Sequence, residues 1–300
     1  MFDRLFAESG LSLDRLRALL AVGAAGSIVK AAGGDPVRQS QYSRQVKELE
    51  GFFRLKLLER QGRGIRLTPS GRELARISRF FMLGLANFQR GGLGEGQTFT
   101  IGAGATLLRR FLLPVLAQAQ PAARPVRYAT EGADRTEIER RLHELTLDFG
   151  VVSGAGLSRP LETQALGSWG LQLWLPSGLG LTPARAAQAF GARRLPLVLA
   201  RNELAEVGPL PYPGDAAQVV CESFLEARAA LEGGRVAALL PAFLAPAKSA
   251  TGFLRVPVPA LRECAFGCHL AWNPRLLRLN PHAVRQRDWL LKALQEGVKQ

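Results

Sequence analysis

The sequence predicts an α/β protein with a small, mainly helical domain at its amino end, and three observations lead there. Apolar residues recur at helical spacing through the first ninety positions. Four glycines within residues 91–96 then stop that pattern and mark a domain boundary. Beyond them, strand-like runs at 99–103, 125–130 and 147–153 alternate with helical stretches, which implies crossover helices and a parallel sheet. Three hundred residues are enough for two or three separate cores. A composition of 47% hydrophobic and 21% charged residues excludes a disordered chain and a coiled-coil rod. The longest weakly polar stretches, 166–181 and 236–247, are interrupted by Gln172 or by Pro241 and Pro246, so neither is expected to span a bilayer. Asp3, Arg4 and Glu8 leave no apolar run of the kind a secretory signal needs, and a cytoplasmic location is expected, with no membrane partner. Cys221, Cys264 and Cys268 are an odd number in a long chain and are expected to be thiols.

The elements follow in order. Leu13, Leu16, Leu19 and Leu20 define a first helix that Gly26 ends, and Ser27 is placed to accept from the free amides opening a second helix at 27–32. Gly33-Gly34 breaks the chain. Asp35 then caps a third helix with Pro36 in its first position, running to about Phe52. Tyr42, Val46, Leu49 and Phe53 share the face of this helix that packs inward. Gln39, Ser43 and Lys47 share the opposite face, flanked by Ser40 and Arg44, a set of donors and acceptors short enough to read base edges in a major groove. Two short strands around Gln61-Gly62-Arg63 make a hairpin bearing Arg63 and Arg66. From 69 to 88 a longer helix carries Leu74, Ile77, Phe81, Leu85 and Phe88 at steps of three and four, a seam that either packs in its own domain or meets a partner helix.

Charge points the same way. The chain carries a formal +14, and the first ninety residues hold 16 basic against 8 acidic residues, the remainder 23 against 17. A basic surface attracts polyanions by releasing their counterions. Helix lengths, glycine break, arginine-bearing hairpin and charge asymmetry together favour nucleic acid over an ordinary solvated surface.

These residues resemble the winged helix-turn-helix of LysR-type transcriptional regulators. The segments carrying the resemblance are Leu16-Arg-Ala-Leu-Leu-Ala-Val22, Gly26-Ser-Ile-Val-Lys-Ala-Ala32, Val37-Arg-Gln-Ser-Gln-Tyr-Ser-Arg-Gln-Val46, Leu49-Glu50, and Leu57-Leu-Glu-Arg60 through Arg66-Leu-Thr-Pro-Ser-Gly71. The resemblance implies base reading by Gln39, Ser40 and Ser43 and phosphate contact by Arg44, Arg63 and Arg66, with Ser27, Lys30 and Lys47 completing the DNA-binding set. It departs from the family at Gly33-Gly34-Asp35-Pro36, at Arg38 in place of a capping serine, and at Ser40 in place of a common proline. It also implies that the long helix pairs with its twin, giving a homodimer or homotetramer on a double-stranded DNA operator. The domains expected are a winged helix-turn-helix at 1–68, a linker and dimerisation helix at 69–92, and an effector domain at 97–300.

That last part resembles the family's effector domain, two-lobed and of the periplasmic solute-binding type. Lobe one is expected at 98–166 and 264–300, lobe two at 167–263. Thr98-Phe-Thr-Ile-Gly-Ala103, Leu147-Asp-Phe-Gly-Val-Val-Ser153 and Gly234-Arg-Val-Ala-Ala-Leu-Leu-Pro241 carry the likeness. A cleft between the lobes is the expected site for a small-molecule effector, where free amides favour a carboxylate or similar anion. Its candidate residues by position are Thr106, Ser153, Arg201 and Ser223. Few polar groups are expected on the rim, which leaves an apolar ligand or none open.

Other chemistries find less support. Gly102-Ala-Gly104 follows a strand, but Leu107 stands where a dinucleotide fingerprint needs its third glycine. None of His143, His269 and His282 sits in a catalytic motif. Cys264, Cys268 and His269 could ligate a metal or sense redox state, yet lie on a strand where core packing is the plainer explanation. No cofactor, metal or catalysis is expected. The rival reading, a cytoplasmic small-molecule-binding module or α/β enzyme, leaves the first ninety residues unexplained.

Overall fold

A computed structural model of the chain describes residues 5, 9–62, 64–93, 97–118, 126–154, 156–205, 207, 218–246 and 252–299. It divides into two compact units, Met1–Leu93 and Gly94–Gln300.

In the first unit the caps act where the sequence places them. Helix α1, Leu13–Ala25, starts at Ser12, whose hydroxyl accepts from the Arg15 amide, and stops at Gly26, which takes the left-handed φ of 61°. Helix α2, Ile28–Ala31, opens with Ser27 accepting from the Lys30 amide. Helix α3, Pro36–Phe53, starts at Pro36, where the Asp35 carboxylate accepts from the amides of Val37 and Arg38. Leu16, Ala18, Leu19, Val46, Leu49 and Leu57 form the core of this unit, with Tyr42, Phe53, Leu67 and Leu74 packed against it. Strands β1, Leu58–Gln61, and β2, Gly64–Leu67, pair antiparallel. The Glu50 carboxylate accepts from the amides of Leu57 at 2.8 Å and Leu58 at 3.3 Å, fastening the hairpin to α3.

Helix α4, Pro69–Leu93, follows. The Thr68 hydroxyl accepts from the Gly71 amide at 3.0 Å and donates to the Lys56 carbonyl at 2.6 Å. The helix runs through Gly91 and Gly92 and ends at Leu93, within the glycine run. Each glycine costs about 1 kcal/mol relative to alanine, a burden that propagation from a long helix absorbs. Gly71 is needed for a different reason: a Cβ there would lie 2.1 Å from the Leu57 carbonyl oxygen, a backbone atom that cannot swing away. Gly71→Ala should therefore lower stability by about 1–3 kcal/mol in thermal or urea unfolding. An unchanged midpoint would contradict this close approach.

The second unit is built on a nine-stranded sheet in the order β4-β3-β5-β11-β6-β9-β7-β8, with β10 also on β6. One arm holds β3 (Gln97–Ala103), β4 (Val126–Gly132) and β5 (Phe149–Ser153), and β3 runs parallel to both neighbours. The other holds β7 (Leu197–Ala200), β8 (Val219–Cys221) and β9 (Ala237–Pro241), and β7 is parallel to both. Strand β6, Glu162–Pro176, joins the arms, pairing antiparallel with β11 (Ala265–Trp272), with β9 and with β10 (Phe253–Val256). The sheet is therefore mixed, not parallel as the alternation suggested. The chain leaves the first lobe along β6 and returns along β11, and two adjacent crossings in opposite senses must be antiparallel. Register shifts between Cys268 and His269: Cys268 faces Gly167 but His269 faces Ala165, which leaves Leu166 as an extra residue.

Cys268 lies buried inside β11 and Cys264 just before it. Four extended residues span about 13 Å, too far for a disulfide. Burial pushes the Cys268 thiol up to about 12. Burial, with help from the nearby Glu226 charge, pushes Cys221 up to about 11. The thiolate is the reactive form. At pH 8, an aromatic disulfide reagent should label Cys264 first, the half-buried Cys221 more slowly, and the buried Cys268 only after unfolding. Prompt labelling of Cys268 would show that β11 opens. Among the described residues no group of three or more His, Cys, Asp or Glu could hold a metal ion, and no helix is long and apolar enough to cross a membrane.

Candidate functional site

The first unit presents a built surface. Helical spacing places Gln39, Ser43 and Lys47 on the side of α3 away from the buried Val46 and Leu49. Together with Ser40 and Arg44, and with Ile28 and Val29 of α2, they line one shallow groove. Ser40, Arg44 and Lys47 are exposed, while Gln39 and Ser43 are half-buried at its floor. A nearby acid, Glu48, is held by Arg15 at 2.5 Å and lies 3.7 Å from Arg44, whose side chain is 74% exposed. That leaves the Arg44 guanidinium open to an incoming anion. Ser27 caps α2 through its oxygen, and Lys30 stands exposed in the last turn of that helix. On the hairpin, Arg66 is exposed and pairs with Glu59 at 2.8 Å. Arg63 lies outside the described residues.

The seam on α4 divides. Ile77, Phe81 and Leu85 are 52%, 51% and 44% exposed, and Phe88 84%. They make a stripe of large apolar side chains facing solvent, the kind of surface that marks an interface. Leu74 does not belong to it: it packs on the unit's own core beside Leu16 and Leu49. A helix entering its domain must turn its first apolar position inward, and steps of three and four cannot tell which end does so.

In the second unit a cavity of about 480 Å³ opens where the two arms of the sheet meet. The first lobe contributes Gly104, Asp134, Arg135 and Ser153, the second Asn202, Glu203, Glu222, Ser223 and Glu226, and Phe266 of β11 closes the floor. Phe266 packs edge-on against Phe224 and stacks with Trp169. Ser153 and Ser223 both line this cavity, and the Ser223 hydroxyl accepts from the Glu226 amide at 3.3 Å. Thr106 lies buried behind the wall. Its amide donates to Glu203 Oε1 at 3.2 Å and its hydroxyl to Oε2 at 2.7 Å, while the Phe224 amide donates to the same Oε2 at 2.6 Å. Arg201 is corrected. It is exposed and off the cavity, because it opens the short helix Arg201–Leu204, whose turn aims Asn202 and Glu203 inward instead.

Burial pushes the Glu203 carboxyl above its ordinary range, opposed by the donors on Phe224 and Thr106. The Arg135 guanidinium donates to the carbonyls of Ser153 and Gly154, so the one cation among the described wall residues is engaged with backbone. Neither Glu203 nor Arg135 stood out in the sequence. Glu203 meets Thr106 across 97 residues, and no local pattern signals such a contact. Arg135 follows a capping Asp134, a signal for a helix start rather than a pocket.

Known proteins share both units. The family model described as bacterial regulatory helix-turn-helix protein, lysR family, matches residues 13–72, and the LysR substrate binding domain matches residues 93–295. The HTH-type transcriptional regulator HdfR of Yersinia enterocolitica is 26% identical over 166 residues, 55% of this chain and 57% of that protein, so the chain spans little more than half the length of this relative. Among solved structures, a full-length OxyR variant from Pseudomonas aeruginosa superposes with a TM-score of 0.65 at 17% identity, covering 97% of this chain and 96% of that one. LysG from Corynebacterium glutamicum with bound effector Arg gives 0.58 at 18% identity, covering 92% and 99%. Full-length CbnR complexed with its target DNA gives 0.54 at 18%, with the same coverages. At these identities the superpositions show a common fold. With matched segments that together reach from residue 13 to residue 295, the chain belongs to the LysR family of bacterial regulatory helix-turn-helix proteins.

Proposed function

We propose that this chain is a sequence-specific transcription regulator without catalytic activity, acting in the cytoplasm as a homodimer or homotetramer and answering to a small effector. The groove that gathers Gln39, Ser40, Ser43, Arg44 and Lys47 carries the reading. Base edges in a major groove are read by amide and hydroxyl side chains, and the flanking cations fix the helix on phosphates. The hairpin, through Arg66 and Arg63, touches the backbone beside it. Support also comes from CbnR, solved on its target DNA, and from LysG, solved with arginine bound.

Residues 1–68 make the reading head, 69–92 the linker that pairs two copies, and 97–300 the effector domain, with lobes at 98–166 and 264–300 and at 167–263. Ser153 and Ser223 belong to the effector's cleft and Thr106 to its wall. An effector that binds one lobe arrangement more tightly than another shifts that population, and the spacing of the paired reading heads follows. Genome-wide recovery of bound DNA fragments tests the proposal. It should return a recurrent, approximately palindromic site whose affinity falls steeply with salt. Recovery of fragments without a shared sequence would reject it.

A further inference from the structure

We propose that Glu203 is a built-in occupant of the effector cleft, a tethered carboxylate that ties the second lobe to the first and excludes free carboxylates from the donors it holds. Its two oxygens take three donors: the Thr106 amide, the Thr106 hydroxyl and the Phe224 amide, all within 3.2 Å. Thr106 follows β3 of the first lobe, whereas Glu203 and Phe224 belong to the second. This one side chain therefore bridges the gap that an effector would bridge, using backbone and hydroxyl donors of the kind that hold a ligand's carboxylate.

Two further features reinforce the exclusion. A carboxylate held by its own chain competes at an effective concentration that a dissolved ligand at millimolar levels does not exceed. The rest of the wall also repels anions, since its described residues include Asp134, Glu222 and Glu226 against the single Arg135, whose guanidinium faces carbonyls. An effector that opens this cleft must displace or engage Glu203, and an anion is the class least able to do either.

The inference deepens the effector-responsive reading and rests on it for its regulatory meaning, but its chemical test does not depend on DNA. Hydrogen exchange at the Thr106 and Phe224 amides is measured on the full chain, with sodium acetate as the probe and sodium chloride of equal ionic strength as the control. Wild type should exchange slowly and ignore acetate. In Glu203→Ala, exchange at both amides should rise on the order of tenfold, the loss of one charge-assisted contact. Acetate, but not chloride, should slow it again by refilling the vacated position. Wild-type exchange rates in the variant, or equal protection of both proteins by acetate, would overturn the proposal. Should Glu203→Ala fail to fold, Glu203→Gln keeps the shape and one acceptor oxygen without the charge. It must then show the same rise at smaller amplitude, and wild-type rates there would be equally fatal. Duplex binding measured on the same preparations separates the two ideas: acetate rescue without DNA binding sinks the regulator and spares the latch, and the reverse result sinks only the latch.

Discussion

Glutamate at Phe81 and Leu85 together is expected to leave the chain monomeric at micromolar concentration while the wild type sediments as a dimer or tetramer. These side chains are 51% and 44% exposed on α4, in line with Ile77 and the still more exposed Phe88. Fully burying a Phe or Leu contributes about 1.5–3 kcal/mol, and a two-fold interface presents each residue twice, so the stripe supplies much of what a stable pair needs. A buried, unpaired carboxylate costs several kcal/mol more. The unit's core lies on the other side of the helix, so circular dichroism and melting of the monomer should change little. Leu74→Ala is the contrast: it should lower the melting temperature and leave the mass alone, since Leu74 packs inward. An unchanged sedimentation coefficient for the double glutamate variant would remove the seam from α4.

On duplex DNA carrying the recovered site, Arg44→Ala should weaken binding to all sequences alike and reduce the slope of log affinity against log salt by about 1, because one phosphate contact is gone. Gln39→Ala should act differently. It should cost about 1–3 kcal/mol at one or two base pairs and make the protein indifferent there, with the salt slope unchanged. Arg44 is exposed and Gln39 half-buried on the face of α3 away from the core, so neither should change the unfolding free energy by more than about 0.5 kcal/mol. Fluorescence anisotropy across a salt series on a panel of single-base variants measures all of this. If both substitutions left affinity and preference untouched, the groove on α3 would not be the reading surface.

The small helices of the first unit were legible because local chemistry decides them. Ser27 and Asp35 cap, Gly26 turns left-handed, Pro36 opens a helix, and steps of three and four separate the inner face of α3 from the outer one. Where the structure departs from expectation, the deciding contact is remote in sequence. Leu74 looked like the rest of its stripe because periodicity reports a face, not what covers it. Strand direction was misjudged because alternating strands and helices describe each arm well, whereas β6 and β11 owe their antiparallel pairing to the chain leaving one lobe and returning. Arg201 follows a strand at a plausible rim position, yet two residues along a helix turn the side chain by about 200°, and Glu203 faces the cavity instead.

The extra residue between β6 and β11 limits how this domain can deform. Ladder bonds on both sides of Leu166 resist pulling the lobes apart or sliding one past the other, because either motion breaks a row of them at once. Gly167, at a φ of 152° and in a spot where a Cβ would come within 2.4 Å of Val298, is the residue this step requires. Any side chain at 167 would therefore strain the backbone and press on the carboxy-terminal helix at the same point.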